Sequence, residues 1–89
     1  MLTNTVTIIN KLGLHARAAA QFANTANRFG SEIKVGVNGK LVDAKSVMSL
    51  MLLAANKGTQ ILLQVQGSDE QEAMQAVVDL IGNRFGEEE

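Results

Sequence analysis

The sequence predicts an α+β fold: a four-stranded antiparallel sheet with three helices on one face, an open-faced β-sandwich ordered β-α-β-β-α-β-α. Three observations predict it. Apolar residues alternate with polar ones in short runs around Val6, Val35 and Leu63, the period of strands with one buried face. Between these runs lie segments whose apolar residues recur at helical spacing. Asn38-Gly39 sits directly after one of the alternating runs, and this pair is a strong hairpin signal because both residues tolerate positive φ. A sheet with one packed face needs helices to cover it, which gives a two-layer domain.

Taken in order, residues 2–9 read as the first strand, because Val6 and Ile8 alternate with Thr5 and Thr7. Lys11 to Leu14, with Gly13, reads as a loop. Residues 16–27 are alanine-rich, and alanine is the best helix former. Ala19, Phe22, Ala23 and Ala26 form one apolar stripe there, with Arg28 expected in the last turn and Gly30 expected to end the helix. Ile33, Val35 and Val37 mark the second strand, and residues 40–44 the strand that returns from the turn. Val47, Leu50, Met51 and Ala54 predict a short second helix with Ser46 as its N-cap, ended by Lys57-Gly58. Ile61, Leu63 and Val65 alternate with Gln60, Gln64 and Gln66 as the fourth strand. Ser68 and Gln71 have capping-box spacing, and Ala73, Val77, Leu80 and Ile81 mark the third helix. Glu87 to Glu89 is expected to be a frayed acidic tail.

Composition narrows the function classes. The chain has 89 residues, 46% hydrophobic and 19% charged, with a net charge of −1, which fits one ordinary folded domain spanning residues 1–89. That charge offers no basic footprint for nucleic acid and no attraction to an anionic membrane. The same element order occurs in ferredoxin-like RNA-binding domains, but those stack bases on strand aromatics, and Phe22, Phe29 and Phe85 all lie outside the predicted strands. There is no cysteine and one histidine, so disulfides, thiolate chemistry and a multi-histidine metal cage are excluded, and no cofactor is called for. No secretory signal is visible, and the run Val47 to Ala55 is far too short to span a bilayer. A cytoplasmic monomer without membrane insertion is expected. An independent enzyme is the least favoured class: there is no Gly-rich nucleotide loop and no carboxylate dyad.

The chemistry concentrates in Lys11-Leu12-Gly13-Leu14-His15-Ala16-Arg17. His15 stands at or next to the N-cap of the alanine-rich helix. A helix N-terminus presents unpaired N–H groups and roughly half a positive charge, so it receives anions. Imidazole, with an unperturbed pKa near 6.5, offers a neutral nitrogen nucleophile at neutral pH. Phosphoryl transfer needs mainly positioning and charge stabilisation, and Arg17 offers a guanidinium matched to phosphate. The plain alternative is a histidine that only caps the helix beside a solvated arginine.

At this segment the chain resembles the histidine-containing phosphocarrier family, HPr, of the bacterial phosphotransferase system. The family's Gly-x-His-x-Arg stretch is Gly13-Leu14-His15-Ala16-Arg17 here. The resemblance runs over about residues 3–85 and includes Ser31-Glu32-Ile33, Asn38-Gly39, Ala44-Lys45-Ser46 and Lys57-Gly58-Thr59. It implies that His15 is phosphorylated on Nδ1 by enzyme I and passes the group to an enzyme IIA domain, with Arg17 facing the phosphate. Ser46 matches the serine that a dedicated HPr kinase/phosphorylase modifies in many members. The family docks through an apolar patch of the first two helices, which here implies Ala16, Ala20, Val47, Met48 and Met51. Of the two methionines, Met51 is expected to face the core and Met48 the solvent. Two departures stand out. The proline that usually follows the arginine is Ala18, and the exposed side of the first helix shows Gln21, Asn24 and Asn27 where many carbohydrate-system members carry lysines. The carbohydrate and nitrogen branches of the system both stay open. A regulatory docking module of the same fold that relays no phosphate is the competing function.

Overall fold

A computed structural model describes residues 1–89. The chain forms strand β1 (Leu2–Thr7), helix α1 (Ala16–Ala26), β2 (Glu32–Val37), β3 (Lys40–Asp43), α2 (Val47–Leu52), β4 (Gln60–Gln66) and α3 (Glu70–Gly82), followed by a single 3₁₀ turn, Arg84–Gly86. The sheet order is β1-β4-β2-β3, with every pair antiparallel. This is the predicted architecture, with the helices over one face and the other face open.

Register places the apolar residues of the central strands opposite one another. Ile33 faces Val65 and Val35 faces Leu63 across β2 and β4, and all four are fully buried together with Ile61. The intervening Glu32, Lys34, Gln64 and Gln66 lie on the wet face, as a period of two requires. The α1 stripe of Ala19, Phe22, Ala23 and Ala26 is buried, with Ala18 beside it, and Val77 and Ile81 of α3 complete the same core. Asn38 and Gly39 both take positive φ, 54° and 84°, as a primed two-residue hairpin turn demands.

The local boundaries differ from the sequence reading at several points. β1 ends at Thr7, two residues early, and Ile9 turns outward. α1 ends at Ala26, so Arg28 lies beyond its last turn and its guanidinium rests 5.5 Å from the Phe29 ring centre. α2 stops at Leu52, well before Lys57-Gly58. Ala54 has φ 52° and is exposed, and Leu53 takes the inward place that Ala54 was expected to fill. Lys57-Gly58 instead forms the entry to β4, with the Gly58 N–H donating to the Ile8 carbonyl at 2.7 Å.

The expected capping box at Ser68 is not formed. α3 begins after Asp69, and that carboxylate turns away from the helix to the end of the α1–β2 connection. It accepts from the Ser31 hydroxyl, from the Ser31 N–H at 2.9 Å and from the Gly30 N–H at 3.0 Å. These contacts satisfy donors that a loop tucked under a helix would otherwise leave unmade. The Ser31 hydroxyl above all, then the Gly30 amide, holds the Asp69 carboxyl below its ordinary value of 3.8. A folded pKa below the unfolded one means the stabilisation is complete above pH 3.8 and is lost as pH falls through the folded value. Asp69→Asn is therefore expected to lower stability at pH 7 and to flatten the acid limb of a stability–pH curve measured by urea unfolding. An unchanged acid limb would remove Asp69 from the account.

Candidate functional site

His15 is the N-cap of α1, with extended backbone at φ −75° and ψ 178°. Its Nδ1 accepts the Arg17 N–H at 3.3 Å, and its carbonyl accepts the Ala19 N–H at 2.8 Å. The ring is 28% exposed, so one side is held by protein and the other is open to a docking molecule. Nδ1 therefore faces the first-turn amides, where the helix dipole favours negative charge.

The loop before His15 fixes this placement. Gly13 has φ +67°, and a side chain there would bring its first carbon to 2.5 Å from the Ala55 carbonyl oxygen. The next residue explains the closeness, since the Leu14 N–H donates to that carbonyl at 2.8 Å while the Leu14 side chain enters the core. Glycine is required at this point both for its left-handed backbone and for the close approach. Asn10, fully buried, closes the loop by donating from Nδ2 to the Gly13 carbonyl at 2.8 Å.

The C-terminal segment, expected to fray, is folded onto this loop. Asn10 Nδ2 also donates to Glu87 Oε1 at 2.9 Å, and Glu87 Oε2 is paired with His15 Nε2. The Glu89 carbonyl accepts the Lys11 N–H, and the Glu89 carboxylate lies 3.4 Å from Lys11 Nζ. Hydrogen bonding by Asn10, then the neighbouring His15 and Arg17, holds the Glu87 carboxyl below its ordinary value, against the opposing effect of its burial. An open cleft results, lined by Lys11, Leu12, His15, Arg17 and residues 86–89. The Arg17 side chain is exposed and takes part in none of the chain's ion pairs. It lines the same cleft as His15 without being committed to a partner.

The remaining predicted residues divide. Ser46 is the N-cap of α2, and its hydroxyl accepts the Ser49 N–H at 3.2 Å. Ala16 and Met48 are exposed, Ala20 is half-buried, and Val47 is half-buried against the core. Met51 was expected to face the core but is 41% exposed. The reason is geometric: Leu50 within the helix and Leu53 at its C-cap, three residues apart, already supply the inward positions. Leu12 and Leu52, 65% and 70% exposed, were missed as surface apolar residues. Leu12 stands between a charged residue and the glycine loop, and its position there was a usable signal. Glu87 carried no local signal at all.

Comparison with known proteins places this geometry in context. The family model described as the PTS HPr component phosphorylation site matches residues 2–83. A phosphocarrier protein HPr from Cupriavidus necator is 55% identical over 89 residues, covering all of both chains. The HPr-like protein Crh of Halalkalibacterium halodurans is 49% identical over 81 residues, covering 91% of this chain and 96% of its own. The crystal structure of HPr-C-His from Thermoanaerobacter tengcongensis superposes with a TM-score of 0.96 at 48% identity, covering both chains completely.

Proposed function

Since the chain belongs to the HPr family, the phosphocarriers of the phosphotransferase system, we propose that His15 Nδ1 is the atom that takes up and surrenders the phosphoryl group. The observation that supports this is the orientation of Nδ1 toward the first turn of α1, with the Arg17 amide at 3.3 Å. In acceptance, the Nδ1 lone pair attacks phosphorus. An N–P bond forms as the bond from phosphorus to the donor's leaving atom breaks. Donation reverses the roles. The phosphate oxygens gained in the step meet the first-turn amides, and the Arg17 guanidinium swings in to neutralise them.

On this reading the donor is enzyme I and the acceptor an enzyme IIA domain, with residues 1–89 acting as one carrier domain in the cytoplasm. Docking uses the exposed Ala16, Met48 and Met51 and the half-buried Ala20, joined by Leu12 and Leu52, with Val47 at the margin. Methionines adapt to partners of differing shape. Phosphorylation of Ser46 by an HPr kinase/phosphorylase would bring about two negative charges to the start of α2. Those charges would oppose docking more than folding, because a helix N-terminus tolerates them.

The test is incubation with purified enzyme I and phosphoenolpyruvate, followed by phosphorus NMR. A phosphohistidine signal on the wild-type chain is the expected result, and its absence sinks the carrier reading. In the same assay Arg17→Ala should slow acceptance roughly 10- to 100-fold, the equivalent of one charge-assisted hydrogen bond of about 1.5–3 kcal/mol. Its stability should stay within about 0.5 kcal/mol of wild type, as for other exposed substitutions. A melting loss in proportion to the rate loss would make Arg17 a structural residue instead.

A further inference from the structure

We propose that Glu87 is a positioning residue that fixes the tautomer of His15, through a directional hydrogen-bond chain that starts at the Gly13 carbonyl. The proposal rests on Nδ1 being the phosphoryl-accepting atom.

Directionality follows from the chemistry of each group. The Gly13 carbonyl can only accept, so the side-chain atom of Asn10 that approaches it at 2.8 Å is the amide nitrogen, Nδ2. The same nitrogen has a second proton, which goes to Glu87 Oε1 at 2.9 Å. Asn10 is fully buried and its Oδ1 has no partner, so turning the amide over would put an acceptor against both the carbonyl and the carboxylate. Glu87 accepts with both oxygens, and its Oε2 meets His15 Nε2. An ionised carboxylate only accepts, so Nε2 must carry a proton. A neutral ring protonated at Nε2 has its lone pair at Nδ1, the position that accepts the Arg17 amide. Each assignment forces the next, and the last one leaves the nucleophilic lone pair on the atom that faces the helix end. A carboxylate that holds a catalytic histidine in one tautomer acts by the same physics in hydrolase triads.

The segment that delivers Glu87 is built for this. Arg84 and Phe85 both take left-handed φ, 53° and 56°, a conformation unfavourable for residues with side chains. The Phe85 ring is buried against Phe22 of α1, with ring centres 6.2 Å apart. The strained turn is thus anchored to the helix that begins at His15.

The chain makes an unusual demand on the isosteric variant. In Glu87→Gln, Asn10 still donates, so the glutamine oxygen must face Asn10 and its NH₂ must face His15. An NH₂ group donates, so Nε2 becomes the acceptor and the proton moves to Nδ1, where it gives up the long Arg17 N–H contact and blocks attack on phosphorus. Glu87→Ala, which removes the group, leaves only the long Arg17 N–H contact at 3.3 Å to favour a lone pair at Nδ1. We expect phosphoryl acceptance from enzyme I to rank wild type first, Glu87→Ala second and Glu87→Gln last, the glutamine variant roughly 100-fold below wild type, less than the roughly 10⁴-fold loss of a hydrolase triad whose tautomer is reversed. Glu87→Gln should melt like wild type, and Glu87→Ala somewhat lower, because it leaves one proton of the buried Asn10 amide without its acceptor. Nitrogen-15 NMR of the imidazole should show the neutral ring protonated at Nε2 in wild type and at Nδ1 in Glu87→Gln. The proposal is overturned if Glu87→Gln accepts phosphate as fast as wild type or faster than Glu87→Ala, or if the wild-type ring carries its proton on Nδ1. The ring spectra need no phosphoryl chemistry. Should none of the three proteins accept phosphate, the carrier reading fails while the spectra still decide the tautomer.

Discussion

His15→Ala is expected to abolish phosphoryl acceptance outright, leaving no phosphohistidine signal and no relay from enzyme I to an acceptor. The loss is total because the chain has no second imidazole and no thiol that could stand in. Arg17, the first-turn amides and the docking surface would all survive the substitution, but none of them is a nucleophile. The fold should survive as well. The cap hydrogen bond at 3.3 Å is long, so its removal should cost less than the ~1 kcal/mol typical of a strong N-cap. Glu87 keeps Asn10 as a partner and stands close to Arg17, so its carboxylate is not stranded. The variant therefore separates chemistry from docking. Titration against enzyme I or an acceptor domain should show affinity near that of wild type, with transfer gone. Residual transfer through the alanine variant would mean that the histidine is incidental and that the chain is a docking module of the same fold. The relationship to the HPr-like protein Crh makes that contrast worth measuring.

Much of this site could be read from the sequence because it is local. The glycine loop, the N-cap histidine and the arginine lie within five consecutive residues. The geometry that unites them is one turn of helix, which residue spacing encodes directly. The same holds for the alanine stripe of α1 and for the Asn38-Gly39 turn. What escaped was nonlocal. Glu87 reaches His15 across 72 residues of chain and Asp69 reaches Ser31 across 38, and neither pairing has a periodicity or a motif. Composition pointed the wrong way in both places. A run of three glutamates at a chain end looks like solvated tail, and Ser68 with Gln71 looks like a capping box. Tertiary partners overrode each local preference: Asn10 and His15 hold the first glutamate of the tail, and the Ser31 loop captures the aspartate. The end of α2 failed for a related reason. Apolar residues continue through Leu53 and Ala55, so the helical pattern looked longer than the helix. Those last two are buried as part of the descent toward β4.

The largest stability effect is expected at Phe22. It is the bulkiest fully buried side chain, and truncating such a ring to alanine typically costs about 3–5 kcal/mol. At ~0.05–0.15 kcal/mol per residue a domain of this size has about 4–13 kcal/mol in total, so Phe22→Ala removes a large share or most of it. With about 4–8 °C of melting temperature per kcal/mol, the midpoint should fall by at least about 12 °C. Urea unfolding should show a lower midpoint with an unchanged slope, since the surface exposed on unfolding barely changes. The ring also has a second task. It is the partner of Phe85, whose burial offsets left-handed strain of order 1–3 kcal/mol at Arg84 and at Phe85. Loss of Phe22 should therefore loosen residues 84–88 more than the rest of the fold, and their amides should exchange faster than global unfolding explains. Val77→Ala provides the control, because it empties the same core and leaves both rings of the aromatic pair in the chain. If the two variants loosen the C-terminal segment equally at matched stability, Phe22 serves the core alone. If only Phe22→Ala does so, the aromatic contact is what keeps Glu87 within reach of the histidine.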